Sequence, residues 1–187
     1  MKTILSLSFI SITLMVNPGV APGNAAGELV KFDQPILITS AGQSAEVQLA
    51  SVLSKRAGLD VTLNKTATPS DLKQAKTLVL VLGASLKGLG VAGIDAAEEK
   101  ARVKHLVEAA KNLNIDILCL HLGGEARRGQ LTDQIIEEFL PYGKMAIIVK
   151  TGNKDGLFTS ICAKHGIPLI EVDKTVDALA PFKNAFI

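Results

Sequence analysis

The sequence predicts an α/β fold of three layers, helix–sheet–helix, around a mainly parallel, doubly wound sheet of flavodoxin-like order. Three observations predict it. Strand-like runs such as TLVLVL (Thr77 to Leu82) are apolar throughout rather than alternating, as strands covered on both faces are. Segments of helical period separate them. The joining loops are short, which favours a parallel sheet with right-handed crossovers and the first strand central.

Taken in order, the predicted strands are ILIT (Ile36 to Thr39), LDVTL (Leu59 to Leu63), TLVLVL, IDILCL (Ile115 to Leu120), MAIIVK (Met145 to Lys150) and PLIEV (Pro168 to Val172). The first helix is expected to be capped by Ser44, to turn Leu49, Val52, Leu53 and Arg56 to one face, and to stop at Gly58. Thr68-Pro69 opens a short helical turn. Asp95 with Glu98 has the spacing of a capping box, ahead of a helix that turns Val103, Leu106, Val107 and Ala110 inward and Glu99, Arg102, Lys104 and Glu108 outward. Thr132 is the expected cap of a helix carrying Ile135, Ile136, Phe139 and Leu140. Asp155 begins another with Leu157, Phe158, Ile161 and Cys162 on one face, and a last helix follows Thr175.

The N-terminal stretch has another character. Lys2, the apolar run Ile4 to Val16 and the small residues through Ala26 make the three-part pattern of a secretory signal peptide, too short to span a bilayer comfortably. Residues 1–26 are therefore read as a removed leader and 27–187 as a single exported domain, periplasmic or extracellular, with no stable membrane insertion afterwards. Twenty Lys and Arg stand against 18 Asp and Glu, a net charge of +2, which gives no reason to expect nucleic acid as a partner. Cys119 and Cys162 sit in apolar runs, as two buried thiols or as a disulfide permitted by the compartment.

GLGVAG (Gly88 to Gly93) spells G-x-G-x-x-G, the pattern of a dinucleotide-binding turn. That chemistry needs the first glycine at the end of a strand and the last in the first turn of a helix, so that the helix N-terminus faces the pyrophosphate. Here the strand ends at Leu82, the next expected helix begins near Asp95, and no Walker pattern follows. No dinucleotide or other cofactor is expected. GASLKGLG is read instead as a glycine-rich loop from which Ser85 and Lys87 project.

All loops leaving the strands of a parallel sheet at their C-terminal ends share one edge, where ligands bind. Those loops are polar and glycine-rich here, while the opposite connections are plain turns. Ser40, Gln43 and Ser44 stand before a helix N-terminus; Ser85, Lys87 and Gly88 come from the third loop, Arg127 and Arg128 from the fourth, and Lys150, Asn153 and Lys154 from the fifth. Hydroxyls, amides and cations at a helix N-terminus suit a small anion, and arginine suits carboxylates. His121 ends a strand at this edge and would need an orienting acid, such as Glu125, to act as a general base. No metal-ligand cluster and no G-x-S-x-G elbow is present.

TSAGQSAEV (Thr39 to Val47), LGASLKGLGVAGID (Leu82 to Asp95), GGEARRG (Gly123 to Gly129) and KTGNKDG (Lys150 to Gly156) resemble the hallmark segments of a family of small exported bacterial proteins described only as domain of unknown function 6305. The resemblance spans nearly all of the mature chain. It implies the exported single domain and carries no activity. Function is thus expected to be binding of a small anionic solute at the C-terminal edge of the sheet. The alternatives are a small hydrolase or lyase using His121 and Glu125, and an interaction module for a transporter or another envelope partner.

Overall fold

The computed structural model describes residues 30–187; the leader expected over residues 1–26 lies outside them. Six strands, β1 (Ile36–Ala41), β2 (Val61–Leu63), β3 (Thr77–Leu82), β4 (Asp116–His121), β5 (Met145–Val149) and β6 (Leu169–Val172), form one sheet of order β2-β1-β3-β4-β5-β6, and every pairing is parallel. The helices are α1 (Glu46–Ala57), α2 (Leu86–Ala92), α3 (Ala96–Asn112), α4 (Gln130–Phe139), α5 (Leu157–His165) and α6 (Leu179–Asn184). This is the three-layer, flavodoxin-like arrangement. The chain reverses direction across the sheet between β1 and β3, where a crevice opens above the strand ends.

Strand β3 shows why its sequence does not alternate. Leu78, Leu80 and Leu82 point into one core with Leu106 of α3, Ile136 and Phe139 of α4 and Phe158 of α5. Val79 and Val81 point into the other, with Val47 and Leu53 of α1 and Phe182 of α6. Both faces are covered, so all five side chains have no exposure, each contributing about 1.5–3 kcal/mol of burial.

Helix ends follow the expected chemistry at three places, the first being Gly58, which ends α1 at φ 73°. Thr68 and Asp71 cap the 3-10 turn Pro69–Gln74 reciprocally, and Asp95 Oδ1 accepts from Glu98 N at 2.8 Å while Glu98 Oε2 accepts from Asp95 N at 2.9 Å. Elsewhere the structure corrects the sequence reading. Helix α1 starts behind Ala45 without a side-chain cap, and it turns Val47, Ala50 and Leu53 inward, leaving Leu49 and Val52 exposed. The small residues Ala50 and Ser54 are fully buried on its inner side, and the Glu46 side chain is turned inward with them. Thr132 lies inside α4, which begins behind Gly129; its Oγ1 accepts from Ala84 N at 3.0 Å and so serves the neighbouring loop. Asp155 likewise precedes the true cap of α5, Gly156.

The largest correction concerns the glycine segment. Leu86–Ala92 is a helix, not a loop: Ser85 caps it by accepting from Gly88 N at 3.1 Å, and Gly93 ends it at φ 69°. Cys119 and Cys162 are buried and unbonded, and burial raises both thiols, that of Cys162 to about 11.

Candidate functional site

Above the crevice between β1 and β3 lies a cleft of about 680 Å³, lined by Gln43, Ser44 and Ala45, Lys65 and Thr66, Ser85 to Ala92 in part, and Arg127. It gathers the loops leaving β1, β2, β3 and β4 at the C-terminal edge. Lys65, Lys87 and Arg127 line it, no acidic residue does, and none of the three cations has an ion pair among the described residues. A concave lining of three cations with no acid among it, and apolar walls (Ala45, Val91, Ala92), is an environment for an anion with a carbon skeleton.

The floor of the cleft is held rigidly. Gln43 adopts φ 58°, a left-handed conformation disfavoured for a residue with a Cβ. Its Nε2 donates to Lys65 O at 3.0 Å and to Glu99 Oε1 at 3.0 Å, which fixes the amide orientation. Glu99 Oε1 also accepts from Gly42 N at 2.8 Å. Arg102 completes the frame: Nε and Nη2 reach the two Glu99 oxygens at 2.8 Å, Nη1 donates to Ala67 O at 2.7 Å and Nη2 to Ser40 O at 2.6 Å. Glu99 is therefore buried rather than outward as its sequence position suggested. A buried charge needs this number of partners to be tolerated.

Beneath the cleft sits a second buried carboxylate. Glu46 Oε2 accepts from Leu122 N at 2.8 Å and Gly123 N at 2.9 Å, and stands 3.9 Å from His121 Nδ1. Burial pushes the Glu46 carboxyl up, against the opposing pull of His121, the two N–H groups and the Arg127 charge. The His121 ring has no exposure; Nδ1 lies 2.8 Å from Leu82 O and Nε2 3.1 Å from Gly124 O. A neutral ring donates from one nitrogen only, so the tautomer decides which of the two carbonyls receives its hydrogen bond.

The predicted site residues divide into two groups. Gln43, Ser44, Ser85, Lys87, Gly88 and Arg127 line the cleft together. Ser40 is buried in β1 below it, its hydroxyl without a partner. The rest occupy the other half of the rim, above β5 and β6, and all but Lys150 are engaged in structure. Arg128 binds Asp133 Oδ1 at 2.6 Å, both Asp155 oxygens at 3.0 and 2.7 Å, and Gly152 O. Asn153 holds the start of α5 through Phe158 N at 2.9 Å and also bonds Thr159 and Glu171. Lys154 pairs with Glu125, and Lys150 is exposed. Glu125 is thus engaged away from His121, and Glu46 takes the place beside the histidine.

Sequence reasoning missed Glu46, Glu99, Arg102 and Lys65. A signal existed for the two acids. Glu46 is in helical phase with Ala50 and Leu53, and Glu99 with Val103, Leu106 and Ala110, all buried. A carboxylate in phase with a buried stripe marks an internal partner.

A hollow of similar size, about 690 Å³, opens at the opposite edge below β4 and β5, where Lys144 and Asp116 pair at 2.7 Å. Among the described residues no group of three or more His, Cys, Asp or Glu is placed to hold a metal, and no helix is long and apolar enough to cross a membrane.

The chain belongs to a family described as a domain of unknown function, DUF6305, whose profile matches residues 33–186. No curated protein matches it. Among solved structures, it is similar to a protein from Desulfitobacterium hafniense DCB-2 described as lipolytic, of the G-D-S-L family, at 12% identity over 75% of this chain and 77% of that one, with TM-score 0.35. It is also similar to AlinE4, an SGNH-hydrolase family esterase, at 13% identity over 82% and 80%, TM-score 0.31. At such identities and scores the likeness says nothing of this chain's chemistry.

Proposed function

We propose that this member of DUF6305 is an exported receptor for a small organic anion, bound in the cleft between Gln43, Lys65, Lys87 and Arg127. One observation carries the reading: three cations from three different connections between strands line a single hollow that no acidic residue lines. Three such charges held near one another repel, and an anionic ligand relieves that repulsion. The cleft floor, fixed by Glu99 and Arg102, is pre-organised, which lowers the ordering cost of binding.

A thermal-shift screen of sulfate, phosphate, dicarboxylates and tricarboxylates tests it. At least one of them is expected to raise the melting temperature, and the shift to vanish in the K87A/R127A double variant. No shift with any of them sinks the reading. Export is checked separately: protein recovered from outside the cytoplasm should begin near residue 27.

A hydrolase working through His121 and Glu125 is a weaker reading, because both ring nitrogens of His121 are occupied by carbonyls and Glu125 is paired with Lys154. Docking of an envelope partner has one favourable observation. Leu86 and Val91 of α2, beside the cleft, are 79% and 83% exposed.

A further inference from the structure

The cationic cleft has a neighbour. A smaller hollow of about 290 Å³ is walled by Ala84, Leu86, Ala126 and Leu131, and Arg127 lines it as well as the cleft. Ser85 of the cleft is followed directly by Leu86 of the hollow, so the two meet along one turn and one side chain. That side chain is a movable partition: Arg127 is exposed and has no ion pair among the described residues. The two hollows differ in what they offer. In the smaller one Arg128 is already held by Asp133, Asp155 and Gly152 O, and Thr132 Oγ1 accepts from Ala84 N at 3.0 Å. Beyond Arg127, therefore, no charge lining it is left without a partner. Leu86, 79% exposed, stands at its wall, and an apolar side chain that far out in water gains by being covered.

We infer that the ligand of the cleft is amphiphilic: an aliphatic monocarboxylate whose head lies among Lys65, Lys87 and Arg127 and whose chain runs past Arg127 over Leu86 and Leu131. The inference rests on the anion-receptor reading and narrows its ligand class. Arginine suits the shared wall, because its stem is apolar while its guanidinium meets a carboxylate. A second anionic group at the far end of the chain would find poor reception. Arg128 already has two carboxylates, and one of them, Asp133, occupies the first turn of α4 beside the hollow.

Calorimetry on the mature chain with butanoate, hexanoate and octanoate, below their micelle concentrations, tests this. Affinity is expected to rise about twofold or more per added methylene, so that octanoate binds about tenfold or more tightly than butanoate. Suberate, which has the length of octanoate and a carboxylate at each end, should bind more weakly than octanoate. L86Q, checked for folding by circular dichroism, should flatten the series, and R127A should weaken every member of it. Equal affinities along the series, with sulfate, phosphate or a small dicarboxylate still raising the melting temperature, overturn the chain and leave the anion receptor standing. Suberate binding more tightly than octanoate overturns it in favour of a two-headed anion. A rise that persists unchanged in L86Q overturns the hollow as the seat of the chain. If no carboxylate binds and sulfate and phosphate fail too, the receptor reading falls and the amphiphile with it.

Discussion

His121 Nδ1 stands 3.9 Å from Glu46 Oε2, with both side chains withdrawn from solvent and joined to the backbone on either side of the sheet edge. The pair ties three loops together. Leu82 O ends β3, Leu122 N and Gly123 N leave β4, and Glu46 opens α1.

Removing one member leaves the other charged or unsatisfied in the interior. H121A is therefore expected to destabilise the fold by about 3 kcal/mol or more, cavity and lost partner together. E46A should cost a similar amount. The double variant should be no worse than either alone by more than about 1 kcal/mol, because the second removal takes away the stranded partner. Urea unfolding of the four proteins measures this. Strictly additive losses would show that the two side chains do not act as a pair.

Arg127 and Arg128, adjacent in sequence, are expected to separate cleanly. Arg128 is held by Asp133, Asp155 and Gly152 and lies over the Phe158 ring, 5.9 Å from its centroid. R128A should cost about 2–3 kcal/mol. Arg127 makes no hydrogen bond or ion pair among the described residues and acts on Glu46 only through its charge, so R127A should stay within about 1 kcal/mol of the parent while losing most of the anion-induced thermal shift. Denaturant midpoints beside thermal shifts distinguish the two, and equal stability losses would remove the distinction.

These two arginines also mark the limit of what was legible. The fold was, because apolar runs without alternation and short connections leave few topologies. The edge at which the cleft opens was legible for the same reason. What RR in GGEARRG could not reveal is which arginine meets Asp155, an acid 27 residues further on. Pairing of charges across loops depends on side-chain direction, which spacing does not encode. Glu99 failed for a related reason: a helix behind a good capping box was oriented by its apolar residues alone, and the acid in phase with them was assigned to solvent. The binding role of the cleft residues was read from the sequence and awaits the measurements above.

Acid stability offers a test of the Arg128 cluster. Hydrogen bonds from Arg128 hold the Asp155 carboxyl down to about 2, against an ordinary 3.8. A carboxyl lowered in the folded state stabilises above its unfolded pKa, and that stability is lost as the pH falls through the folded value. Asp155 is 57% exposed, so screening keeps the contribution under about 1 kcal/mol. The melting-temperature gap between the parent and D155N should thus be steady from neutral pH to about 5, close between about 4 and 2, and shrink in high salt. A gap that widens on acidification would contradict the pairing.

The glycines of α2 allow the sharpest contrast, because two of them lie two residues apart in the same short helix and meet opposite surroundings. A Cβ at Gly88 would come within 2.0 Å of Gln43 O, a backbone atom that cannot turn aside, whereas nothing lies within 4 Å of one at Gly90. Gly88 is therefore where the helix seats against the strained Gln43 turn, and Gly90 faces solvent. G90A should stabilise by about 0.5–1 kcal/mol, through better helix propensity and a less free unfolded chain. G88A should push α2 off the Gln43 turn, raise amide exchange across residues 85–93, and weaken anion binding at Lys87 even where the global unfolding midpoint moves little. If both alanines prove neutral and exchange is unchanged, then α2 is not seated through Gly88, and the glycines of this segment serve only its flexibility.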